Sequence, residues 1–183
     1  MEVVVITDVT EEPVTLDEIK DFCHIDQDYA IDDAKLSAYI TSARELLEKE
    51  LNLSLAPKVL EWQYGGASQE IPYGPVGEIV SLKTSSDVLV DPTVYNISGL
   101  AFKSIRINDY SGCYIIYPVG YTGAEKAYNL TYNAGYETLP CILLTAIKMQ
   151  VDYWVKNLGA AKNELTPDVK EMTLKYSRNL YIQ

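Results

Sequence analysis

Residues 130–154 read LTYNAGYETLPCILLTAIKMQVDYW. Leu130-Thr131-Tyr132 has the composition of a strand, Asn133-Ala134-Gly135-Tyr136 of a turn, and Pro140 opens a helix that runs to about Leu158. A proline suits the first turn of a helix, where its missing N–H would have no partner. At about 100° per residue, Leu144, Ile147, Val151, Trp154 and Leu158 form one apolar stripe, and Ile142, Ala146, Met149 and Tyr153 form a second. Only Thr145, Lys148, Asp152 and Lys156 mark a polar line between them. A helix apolar over most of its girth must be covered on more than one side, by its own chain or by a neighbouring copy. The second stripe is therefore the candidate subunit interface.

Outward from that helix, the N-terminal third is helical in period. Thr15-Leu16-Asp17-Glu18 is a capping box that starts a short helix to about Ile25. An acidic loop follows, and Asp32 and Asp33 lead into a helix to Leu51 with core face Leu36, Tyr39, Ile40, Ala43, Leu47 and Leu51. From Lys58 to Tyr132 the period becomes two, with turn residues between the runs. The predicted strands are Val59–Tyr64, Ile79–Thr84, Val88–Val90, Val94–Ile97, Ile105–Asn108, Cys113–Pro118 and Ala127–Tyr132. A last helix is capped by Thr166, with Pro167 and Asp168 in its first turn. The expected fold class is α+β: a four-helix core, residues 1–57 and 133–183, interrupted by an antiparallel β insertion, 58–132, forming a small sheet or barrel.

A chain of 183 residues buries roughly 70% of its unfolded surface and needs no metal or disulfide to fold. Its three cysteines, Cys23, Cys113 and Cys141, are widely spaced and read as reduced thiols. The start lacks a signal-peptide pattern, and no run approaches the roughly 18 apolar residues of a membrane span. The net charge of −11 is uneven: residues 1–56 carry 14 acids against 4 bases, whereas residues 137–183 carry 5 against 6. Such a surface does not grip phosphates, which argues against nucleic-acid binding through a basic patch.

No chemical site emerges. His24 is the single histidine, and no cysteine or histidine pair has zinc spacing. Asp26, Asp28, Asp32 and Asp33 are spaced somewhat like a calcium loop, but the sixth position is not glycine and the twelfth is Ser37. Nucleophile elbow, phosphate loop and dinucleotide fingerprint are absent, and Cys23 and His24, as helix neighbours, point about 100° apart. No cofactor is expected. Two rival readings remain: a carbohydrate- or other ligand-binding β module stacking sugars on Trp62 and exposed tyrosines, and a carboxylate-dependent hydrolase.

The order of several short segments carries more than any one motif. Val14–Lys20, Asp32-Asp33, Ala43-Arg44-Glu45 before Glu48, Pro75-Val76 before Ile79–Leu82, Leu130–Tyr136, and Pro140 with its helix through Trp154 together resemble the head-tail connector, or adaptor, proteins of tailed bacteriophages. The resemblance spans roughly residues 14 to 158, and its most specific part is the Tyr-x-Ala-Gly-Tyr strand exit followed by proline and an apolar helix. It implies a non-enzymatic ring, commonly of twelve subunits, in the virion neck. Such a ring is made in the host bacterial cytoplasm, sits under the portal protein, meets the next neck or tail component, and lets DNA pass without specific binding. On that footing Tyr176, Leu180, Tyr181 and Ile182 would dock on the portal. The acidic loop Asp26, Asp28, Asp32 and Asp33 would face the channel or a basic partner.

Overall fold

In the computed structural model, residues 2–65, 68–84, 86–100, 102–107, 128–157 and 164–178 are described. The chain divides into a β unit, residues 1–8 with 57–135, and a helical unit, residues 9–56 with 136–183.

The period-two runs become strands as expected. In β2 (Lys58–Tyr64), Leu60, Trp62 and Tyr64 point inward, and in β7 (Tyr128–Ala134) Leu130, Tyr132 and Ala134 do the same. The two strands pair antiparallel with Trp62 opposite Leu130 and Leu60 opposite Tyr132. Direct pairing of large apolar side chains on one face fixes the register, because a one-residue slip would turn them to solvent. β1 (Glu2–Thr7) pairs with β2, and β4 (Val76–Thr84) with β7, giving a four-stranded sheet in the order β1-β2-β7-β4. A second sheet joins β3 (Ser68–Glu70), β6 (Ser104–Ile107) and β5 (Tyr95–Ser98). Ile71, Ile105 and Ile107 share one core with Leu60, Trp62, Leu82 and Leu130. Within it Trp62 and Tyr64 stack at 4.5 Å, and the Tyr132 hydroxyl donates to the Pro72 carbonyl at 2.8 Å. Gly135 ends β7 at φ 115°, a left-handed conformation that suits glycine, and its N–H donates to the Pro75 carbonyl at 3.0 Å.

The structure moves several expected boundaries. Residues 2–7, expected to lie with the helical part, are an edge strand of the β unit. β3 was not foreseen, and Val88–Val90 is reduced to a bridge between Leu89 and Lys83. The expected strand Cys113–Pro118 lies outside the described residues.

In the helical unit, α1 (Leu16–Cys23) begins with the capping box read from the sequence: the Glu18 N–H donates to Thr15 Oγ1, and the Thr15 N–H to Glu18 Oε2, both at 3.2 Å. α2 (Asp33–Leu51) buries Leu36, Ile40, Ala43, Leu47 and Leu51, and ends at Asn52 in the left-handed conformation. α3 (Cys141–Lys156) buries Leu143, Ala146, Ile147, Gln150, Val151 and Trp154. α4 (Pro167–Thr173), followed by a 3-10 turn over Leu174–Tyr176, adds Val169. The apolar members of these sets, with Ile19 of α1, form one core.

Two cations of this unit, Arg44 and Lys20, are buried. Arg44, on the core side of α2, donates to Glu12 Oε2 at 2.8 Å and to Glu48 Oε2 at 3.0 Å, while Glu48 Oε1 accepts the Leu55 N–H at 2.8 Å. Glu12 also accepts from the Thr41 hydroxyl at 2.9 Å. The network ties the segment before α1 and the segment after α2 to the middle of α2. Lys20, also buried, donates to the Gln27 carbonyl at 3.1 Å and pairs with Asp33 at 2.6 Å.

Candidate functional site

The four residues expected to form a spare face of α3 do not share one environment. Ala146 is 0% exposed and belongs to the unit's own core, so it is removed from the candidate interface. Its small side chain stands where a large one would prop the neighbouring helices apart. Met149 packs half-buried on the rim of that core. Ile142 and Tyr153 stay 44% and 41% exposed. They are 11 residues apart, about three turns, and so lie on one side of the helix. What stays uncovered on that side is its two ends, Ile142 and Tyr153, with Ala146 buried and Met149 half-buried between them.

The acidic loop between α1 and α2 is a bonded knob. Lys20 holds Gln27 and Asp33 from beneath, and the Gln27 side-chain amide donates to Asp21 Oδ1 at 2.6 Å and to the Asp17 carbonyl at 3.1 Å. Asp26 Oδ1 accepts the Asp28 N–H at 3.1 Å, and the Asp26 carbonyl accepts the Tyr29 N–H at 3.0 Å. Asp33 is thereby committed to Lys20 and is not free for a partner. Asp32 is the half-buried residue preceding α2, and Asp26 and Asp28 are exposed. At the apex stand Tyr29, 44% exposed, and Ile31, 82% exposed. Sequence reading missed these two. The signal was present, as two large apolar residues inside an otherwise acidic loop.

At the other end of the unit, Tyr176 is half-buried against the core, so much of its ring is already covered within the subunit. Leu180, Tyr181 and Ile182 lie outside the described residues. Leu174, one turn after Lys170, is 70% exposed between the exposed Lys170 and Lys175, and it too was missed.

The titratable groups form no reactive set. His24 closes α1 in the left-handed conformation at φ 57° and is exposed. Burial, then the Asp152 carboxylate, pushes the Cys23 thiol up from 9.0 to about 11, the opposite of what a nucleophile needs. Burial also pushes the Tyr64 and Tyr132 hydroxyls upward. Trp62 is fully buried in the β unit's core, which removes it as a stacking platform for a sugar. Among the described residues, no group of three or more His, Cys, Asp or Glu is placed to hold a metal ion, and no helix is long and apolar enough to cross a membrane.

Residues 13–85 match the model of the phage gp6-like head-tail connector protein family, so the resemblance to head-tail connectors read from the sequence is borne out. No curated protein matches the sequence. Among solved structures, a chain from the neck of an empty gene transfer agent particle computed with C6 symmetry aligns at TM-score 0.72 and 16% identity, over 97% of this chain and 95% of that one. A chain from the virion of a native gene transfer agent particle aligns at TM-score 0.68 and 18% identity, with the same coverage. A chain from the native neck computed with C12 symmetry aligns at 0.68 and 17%, again over 97% and 95%. The α+β mixture of helices and antiparallel sheets is thus a fold shared, nearly end to end, with chains of such particles.

Proposed function

We propose that this chain is a structural head-tail connector subunit, one of a ring of copies in the neck of a tailed phage or phage-like particle, seated under the portal and extending the DNA channel towards the tail. The observation that carries the reading is the match of residues 13–85 to the connector family. The exposed Ile142 and Tyr153 on one side of α3 support it, because a closed ring needs a side-to-side contact repeated in every copy. Particles whose neck chains share this fold were computed with C6 and C12 symmetry, which favours twelve copies or a divisor of twelve. The excess of acids in residues 1–56 leaves no cationic surface there to displace counterions, so DNA slides past rather than adheres. The chain has no enzymatic role in this reading.

The segment after Arg178, with Leu180, Tyr181 and Ile182, docks on the portal, and the β unit meets the next neck component. The test is light scattering and negative-stain imaging of the full chain, alone and mixed with portal protein. Rings, or portal-bound rings, are expected. A chain that stays monomeric and unbound under both conditions overturns the proposal. Truncation after Asn179 should abolish portal binding and leave the fold intact; unchanged binding removes the docking assignment.

A further inference from the structure

We infer that the Tyr29–Ile31 knob of each copy docks on the Leu174 patch of the next copy, head to tail. This rests on the ring reading above and specifies which surfaces meet. Ile31 and Leu174, at 82% and 70%, are the two most exposed large apolar side chains among the described residues of the helical unit. A residue of that kind contributes little to its own fold, and apolar patches rimmed by polar groups mark sites of association.

Their rims are opposite in charge. Asp26 and Asp28 flank the knob, and Lys170 and Lys175 flank Leu174, with Glu171 between the two lysines in the chain and Asp168 at the start of the same helix. Opposed rims steer docking and fix register, while the apolar centres supply the burial. The knob is also held in shape before it meets anything: the Lys20 ammonium, the Gln27 amide and the Asp26 turn bond it to α1 and to itself. Less conformational entropy is then lost on docking.

The two patches cannot meet within one subunit. The knob precedes Asp33 at the start of α2, whereas the Leu174 segment leads to Arg178, whose N–H donates to the carbonyl of Leu51 at the far end of α2, at 3.0 Å. Nineteen helical residues separate those ends, about 28 Å. Different surfaces at opposite ends of one subunit make a heterologous contact, which closes into a ring when the rotation allows.

The test uses two full-length variants. Asp26→Asn with Asp28→Lys makes the knob basic and keeps the side-chain acceptor at position 26. Lys170→Glu with Lys175→Glu makes the patch acidic. All four side chains are exposed, so circular dichroism should show both variants folded. Each variant alone should lose about tenfold or more in assembly constant. A one-to-one mixture should regain assembly, because each altered knob then faces an altered patch of opposite sign and each unaltered knob faces an unaltered patch. Variants that assemble as well as the parent chain, or a mixture that fails like its components, overturn the contact. Assembly of the parent chain, measured beside them, reports separately on the ring reading: parent rings with unaffected variants refute this contact alone, and a parent that never assembles refutes both.

Discussion

Aspartate placed at two positions of α3, only four residues apart, should have opposite consequences. At Ala146 the side chain is 0% exposed inside the core shared with α2 and α4. A carboxylate there loses its water without gaining a cation, at a cost of several kcal/mol, and its extra volume adds about 1–3 kcal/mol of overpacking. Against a total stability of roughly 5–15 kcal/mol, the helical unit of Ala146→Asp should be unfolded or nearly so. Ile142 differs on both counts. It is 44% exposed and the second residue of α3, so about half of the roughly 1.5–3 kcal/mol of its possible burial is at stake. An aspartate in the first turn recovers about 0.3–1 kcal/mol from the helix dipole. The net cost to the subunit is about 1 kcal/mol or less, while in a ring the same change puts a charge into the neighbour contact. Urea unfolding followed by circular dichroism, with light scattering on the same samples, separates the two effects. Ile142→Asp should stay folded and fail to assemble, and Ala146→Asp should fail to fold. A well-folded Ala146→Asp would refute the division of the helix into a core face and exposed ends. So would an Ile142→Asp chain that unfolds.

Three further expectations follow from the packing. Arg44→Met removes the guanidinium that donates to the buried Glu48 carboxylate and should cost about 3–5 kcal/mol in urea unfolding; adding Glu48→Leu should return part of that loss, and strict additivity would show that the two do not act as a pair. The Cys23 thiol is raised to about 11, so the folded state holds its proton more tightly than the unfolded chain does; its contribution to stability is complete below pH 9.0 and falls away between 9.0 and about 11. Its alkylation rate should therefore keep rising to about pH 11, and a plateau near 9.0 would contradict its burial and the Asp152 carboxylate beside it. Trp62→Ala removes a buried ring from the β unit and should cost about 3–5 kcal/mol by hydrogen exchange of β2 and β7, and titration of the parent chain with glycans should leave the Trp62 fluorescence unchanged; a glycan-dependent change would revive the carbohydrate reading.

Where a signal was local, the sequence carried it. The Thr15–Glu18 capping box, the α2 stripe and the alternation in β2 and β7 each depend on neighbours a few residues away, and the structure contains all three. β1 escaped because Val3–Ile6 is apolar without alternation and its partner strand lies more than fifty residues further on. Ala146 was placed on the wrong side because periodicity shows that α3 has two apolar faces but not which one the chain itself covers. The burial of Arg44 and Lys20 has no local signal, because it is decided by partners such as Glu12 and Asp33, which only the fold brings close. The resemblance to head-tail connectors was legible from the order of segments. The knob at Tyr29 and Ile31 and the patch at Leu174 became visible only when exposure could be compared residue by residue.

The most direct test is an image of the assembled neck that contains this chain, at a resolution that shows side chains. Copies should surround a rotation axis, with Ile142 and Tyr153 of each covered by the next copy. A chain present off the axis as a single copy, or a ring in which both side chains still face water, would contradict the account.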